Sequence, residues 1–131
     1  MLPKFRVWDK NTEDVVDVKT IDLEKDGSIG CIVDYSGINL DVSECVLMQS
    51  TGVKDNNGVE IFEGDIVSVR NHPFQKTESS VGIEIDGDYK VSWNEYDLTW
   101  CAGNLLLARI KPYVTVIGNI YENPELLEVA E

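Results

Sequence analysis

Any chemistry in this chain would have to come from one imidazole, three thiols and a large stock of carboxylates. His72 is the sole histidine, so it is the one available imidazole base. It precedes Pro73 inside Asn71-His72-Pro73-Phe74-Gln75-Lys76-Thr77-Glu78-Ser79-Ser80, the longest polar connection in the sequence, and reads as an exposed loop histidine. No Gly-x-Ser-x-Gly or Cys-His pairing of family-type spacing accompanies it. Cys31, Cys45 and Cys101 are odd in number and widely spaced, with no C-x-x-C. A four-ligand zinc site would need carboxylates to complete it, so buried apolar cysteines are the expectation. Asp55-Asn56-Asn57-Gly58-Val59-Glu60 has the flavour of a calcium loop, yet the position five before its glycine is Val53, where an EF-hand needs a carboxylate. It reads as a hairpin turn. Asp86-Gly87-Asp88 also reads as a turn, because two carboxylates on a two-sided reversal do not converge on a cation.

Other chemistry is equally hard to place. Neither G-x-G-x-x-G nor G-x-x-x-x-G-K-[ST] occurs, so no phosphate-cradling loop is expected. With 24 Asp and Glu, a carboxylate pair for glycoside hydrolysis has no recognisable spacing. Trp93 shares the parity of Val91 and Tyr89, which assigns it to core packing. Trp8 and Trp100 are the better candidates for surface stacking on bases or sugars. No catalytic, cofactor-binding or metal-ligating residue is therefore assigned, and no cofactor is expected.

The elements that would position such groups are strands. Phe5–Trp8 alternates. Val15–Ile21 leads through Lys25-Asp26-Gly27 to Ile29–Val33, a strong hairpin signal because glycine accepts the positive φ of a tight turn. Lys54–Gly58 separates Cys45–Ser50 from Val59–Phe62, and Asp86-Gly87-Asp88 is expected to join Val81-x-Ile83-x-Ile85 to Tyr89-x-Val91-x-Trp93. Glu63-Gly64-Asp65 turns the chain into Ile66–Arg70. Leu105–Ile110 is open between buried strand and helical turn, and Val114–Ile120 is a strand. Asp41-Val42-Ser43-Glu44 has capping-box-like spacing, and Asn123-Pro124-Glu125-Leu126-Leu127-Glu128 predicts a short final helix, with Pro at its first position. The sum is a mainly β chain of roughly six to eight short strands, read as one domain over 1–131.

The 131 residues carry 11 Lys and Arg against 24 Asp and Glu, a formal net charge of −13. That balance opposes nonspecific binding to nucleic acid or anionic membrane. The acids are spread evenly, with no run of three, and favour a solvated, mutually repelling surface over an acidic tail. No apolar run reaches the ~18–20 residues that span a bilayer, and Met1–Asp9 lacks the apolar core of a signal peptide. A cytoplasmic location is expected.

Three blocks together resemble the YopX family of bacteriophage and prophage proteins. They are Pro3-Lys4-Phe5-Arg6-Val7-Trp8-Asp9 (3–9), Leu47 to Val67 with Lys54-Asp55-Asn56-Asn57-Gly58 and Glu63-Gly64-Asp65-Ile66-Val67 at its heart (47–67), and Val116-Ile117-Gly118-Asn119-Ile120-Tyr121-Glu122-Asn123-Pro124-Glu125-Leu126-Leu127 (116–127). The resemblance implies a small β-rich fold, partly like an SH3-type barrel, encoded among phage accessory genes and acting in the bacterial host cell. It carries no catalytic residue, since turns and caps specify a fold and not a substrate. The expected function is a non-enzymatic accessory protein acting by protein contacts, as a homo-oligomer or with a host or phage protein. The alternatives are a nucleic-acid role, by small-barrel binding through Trp8 or Trp100 with Lys4 and Arg6 or by acidic DNA mimicry against a host enzyme, and a small hydrolase.

Overall fold

The structure, a computed structural model, describes residues 4–70 and 86–127. It is mainly β, and it divides into two compact units, Met1–Ser50 and Thr51–Glu131. The sequence shows no linker between them because the boundary falls inside a strand, β5 (Cys45–Lys54).

In the first unit, β1 (Phe5–Asp9), β2 (Asp14–Leu23), β3 (Ile29–Asp34) and β4 (Asn39–Leu40) join the first part of β5 in an antiparallel sheet of order β4-β3-β2-β1-β5. Val7 sits opposite Val16 on one side and Leu47 on the other. The core is Val7, Val18 and Ile32, packed by Phe5, Val16, Ile21, Leu40 and Leu47. Val16 and Val18 share a face by the two-residue period of a strand, but Ile21 has the opposite parity. A register shift between Val18 and Thr20 resolves this: the extra residue turns Ile21 back toward the same core. A single 3₁₀ turn, Val42–Glu44, is capped by Asp41, whose carboxylate accepts from the Ser43 N–H and hydroxyl.

In the second unit, the end of β5 pairs with β6 (Glu60–Phe62), and β7 (Asp65–Val69), β8 (Gly87–Asn94), β9 (Thr99–Ala102), β10 (Leu105–Leu106) and β11 (Val114–Asn119) form a sheet of order β10-β9-β8-β7-β11. Ile61, Val67, Val69, Val91, Ala102, Leu107, Ile110 and Val114 are its buried core. The ambiguous Leu105–Ile110 stretch is both things in succession, strand β10 and then one helical turn α1 (Leu107–Ile110) that buries Leu107 and Ile110. Pro124–Leu127 is the short final helix that the sequence places there, in 3₁₀ form and with Pro124 as its first residue. Asn119 holds the chain before that turn, its side-chain oxygen accepting from the Tyr121 and Glu122 N–H groups.

Two expectations change. Eleven strands are described, more than the estimate, because several are only two or three residues long and leave no periodic signal. Gly87 and Asp88 are not a turn: they lie in β8, opposite Val69 and Ser68 of β7. The proposed partner strand Val81–Ile85 and the 71–80 connection lie outside the described residues. Among the described residues the strands form two antiparallel sheets, in keeping with the mainly β expectation.

One turn design recurs. In Glu24–Ser28, Asp34–Ile38 and Asp55–Val59 the first residue's N–H donates to the fifth residue's carbonyl, and the fourth residue's N–H returns to the first residue's carbonyl. The fourth residue is Gly27, Gly37 or Gly58, each at φ between 83° and 89°, the left-handed position of a three-residue hairpin loop. Asp34 and Asp55 add a carboxylate oxygen that accepts from the N–H groups two and four residues on.

Asp55 does more than hold its own turn. Its second oxygen accepts from the Val116 N–H at 2.9 Å, while the Asn56 N–H donates to the Val114 carbonyl at 2.9 Å. β11 is the edge strand of its sheet, and Val114 and Val116 are where an edge would otherwise leave backbone groups unpaired. The turn therefore covers the edge, and Asp55 is buried in doing so. Asp55→Ala strands three backbone donors and is expected to cost about 3 kcal/mol in urea unfolding. Asp55→Asn, which keeps one acceptor oxygen, should cost less. In both, hydrogen exchange at the Val116 amide should accelerate beyond the global loss; unchanged protection there would refute the edge-covering role.

Candidate functional site

The buried polar groups come first, since a buried carboxylate is where acid–base chemistry would be poised. Asp9, Asp55, Asp65 and Asn119 are the buried acids and amides outside serine. Each is committed to backbone. Asp9 accepts from the Asn11 N–H at 2.9 Å, and Asp65 from the Phe62 N–H at 2.8 Å, closing the Glu63-Gly64 reversal. Asp55 accepts three such bonds. A carboxylate whose lone pairs are filled by peptide N–H groups is a structural clamp, and the Asp55–Val59 segment is the turn that its sequence indicates. Asp88 is paired with Arg70 at 3.2 Å, and the same guanidinium donates to the Val69 and Gly87 carbonyls. No group of three or more His, Cys, Asp or Glu side chains able to hold a metal ion occurs among the described residues. His72 lies outside them.

The thiols are poorly suited to nucleophilic work. Cys101 is buried, whereas Cys31 and Cys45 are only partly covered, a departure from the uniformly buried expectation. The Cys31 thiol donates to the Asp22 carboxylate across the β2–β3 pair at 3.2 Å. That hydrogen bond pushes its pKa up, since the thiolate would face a negative charge. Burial, helped by Asp9, Asp41 and Glu44, pushes the Cys45 thiol up as well. Thiolate being the reactive form, both are deactivated.

The aromatic residues are distributed the other way round from expectation. Trp100 packs against the core of the second unit and Trp8 is half-buried, whereas Trp93 is exposed. Parity puts Trp93 on the face of buried Val91, but it stands at the last turn of the ribbon, beyond the core. It meets Trp100 edge to face, with ring centroids 5.2 Å apart and planes at 72°. Beyond the Trp93–Trp100 and Asn94–Thr99 pairs comes the loop Glu95-Tyr96-Asp97-Leu98. The Asn94 side-chain oxygen accepts from the Tyr96 and Asp97 N–H groups, both at 2.9 Å, and so fixes the loop from within. Tyr96 is 98% exposed and Leu98 71% exposed.

Leu98 has φ 52°. In the three hairpin turns described above, glycine occupies the left-handed position. Here a large apolar residue holds it in full view of solvent, at a steric cost of roughly 1–2 kcal/mol. Tyr96 and Leu98 escape a reading of the sequence because the loop lacks glycine; the signal that could have found it is Asn94, a side chain that builds such turns, between two β-rich runs. This tip, Trp93 with Tyr96 and Leu98, is the candidate functional site. Its chemistry is contact: apolar surface on a rigid backbone, with no reactive group among the three.

The deactivated thiols give a direct check. At pH 8, iodoacetamide should alkylate Cys31 and Cys45 more slowly than free cysteine, read by peptide mass spectrometry. Asp22→Asn should accelerate Cys31 by roughly 2–5-fold and leave Cys45 unchanged. Equal rates at Cys31 in the two proteins would remove Asp22 as the cause.

Among curated proteins none matches. A similar solved structure is the crystal structure of protein EF1440 from Enterococcus faecalis, with 27% sequence identity and a TM-score of 0.69, covering 97% of this chain and 99% of that chain. The family model described as YopX protein matches residues 4–128. That span takes in the edge-covering turn at Asp55, the reversal closed by Asp65 and the Asn119 clamp, and the chain belongs to the YopX family.

Proposed function

We propose that this protein is a non-enzymatic accessory module, of phage or prophage origin and acting in the bacterial cytoplasm, that works by protein contacts made through the tip of the β8–β9 hairpin. The observation that carries the reading is Leu98, held in the left-handed region and exposed beside Tyr96 and Trp93. Glu13 before β2 is the other left-handed non-glycine residue among the described ones and is polar; at Leu98 the strained backbone coincides with exposed apolar side chains, which is where function is expected to oppose folding preference. Exposed tyrosine and tryptophan also supply large contact area with few rotatable bonds to freeze. The non-enzymatic side of the reading draws on the buried acids, each spent on backbone amides, and on the raised thiols.

The contact is made with a second copy or with a host or phage protein. The nucleic-acid alternative gains little, because a chain of net charge −13 carries no Lys or Arg between Lys90 and Arg109, the stretch that contains the tip. Sedimentation velocity of the full chain at micromolar concentration, together with affinity capture from a bacterial extract, tests the reading. The expected result is self-association or a specifically captured protein, lost in the Tyr96→Ser/Leu98→Gly variant. Glycine at 98 suits the backbone there, so the variant should fold with an unchanged melting temperature. A clean monomer that captures nothing, or contacts indifferent to the double substitution, would overturn it.

A further inference from the structure

The geometry points to a partner for the β8–β9 tip that is a protein surface with an apolar cleft rimmed by Lys and Arg, and not a second copy of this chain. This inference rests on the contact reading above and adds the chemistry of the partner. Along the loop, apolar and acidic residues alternate: Glu95, Tyr96, Asp97, Leu98. The acids are exposed like the apolar residues between them. No basic residue offsets them nearby in the chain: Lys90 is the last before the tip, and it lies on the strand face opposite Trp93 by parity. The tip thus offers apolar surface on the order of 400 Å², within the size of functional patches on small proteins, in the same loop as two exposed carboxylates.

Charge decides between the occupants. Two tips brought together would set Glu95 and Asp97 of each copy against those of the other, on bodies that each carry −13. Like charges facing across a contact are strongly disfavoured. A cationic rim turns the same carboxylates into attraction, and the net charge of the whole chain then steers the encounter. The Asn94 side chain holds the loop backbone through the Tyr96 and Asp97 N–H groups, so little backbone order has to be gained on contact.

The test uses the intact protein and three peptides of equal length: one of Lys and Leu, one of Glu and Leu, one of Lys and Ser. Backbone and indole NMR shifts of Trp93, Tyr96 and Leu98 report binding. The Lys/Leu peptide should shift these signals saturably. Its apparent Kd should rise roughly 5-fold or more between 50 and 300 mM NaCl, about 3-fold in Glu95→Gln/Asp97→Asn, and about 10-fold in Tyr96→Ser/Leu98→Gly. Equal binding of the Glu/Leu peptide, no saturable shift with the Lys/Leu peptide, tip shifts that grow with protein concentration alone, or preferential shifts with phosphatidylcholine vesicles would each overturn the inference. If the tip variant still loses a captured partner whose binding ignores salt, the contact reading survives and the cationic rim falls.

Discussion

Side chains that accept hydrogen bonds from peptide N–H groups are the constraint on which this structure depends. A strand-rich chain with short loops leaves many backbone donors at its reversals, and each buried donor without an acceptor is costly. Asp55 meets the demand at a hairpin and at the edge strand β11 together, through both carboxylate oxygens. Asp65 and Asn119 do the same for the reversals on either side of β7 and β11. The acids most deeply buried in the molecule are therefore the ones least available for chemistry.

The same constraint explains what stays at the surface. Once the turn at 55–59 covers β11, the remaining sheet ends in the second unit are short, β10 being two residues long. Backbone edges then offer little to a partner, and side chains at the β8–β9 tip offer more. The three glycine-marked turns carry the chain round at low cost. The β8–β9 loop shares a left-handed non-glycine residue with the β1–β2 loop, where exposed Glu13 has φ 57°, but here the residue is the apolar Leu98, exposed together with Tyr96.

How much of this was legible in advance depended on range. Lys25-Asp26-Gly27, Lys54–Gly58 and Glu63-Gly64-Asp65 read correctly as reversals, since five residues contain all the chemistry of such a turn. Asp41 before its 3₁₀ turn was legible for the same reason. Asp86-Gly87-Asp88 has identical local chemistry yet runs through β8, because pairing with Val69 and Ser68 of β7 overrides it. Trp93 has core parity and is exposed; Trp100, by sequence a better candidate for surface stacking, packs on the core. Parity tells which face a residue shares, but not where along the strand the opposing layer ends.

The amino-acid sequence by itself determined the strand-rich class, the positions of most reversals, the YopX family and the absence of any recognisable reactive motif. Tertiary structure decided that Asp55 reaches β11, that an extra residue in β2 returns Ile21 to its core, that the chain forms two compact units without a linker, and that Tyr96 and Leu98 are exposed. The division follows from physics: turn preference is a property of neighbours along the chain, whereas edge pairing and solvent exposure are properties of residues that only folding brings together or keeps apart.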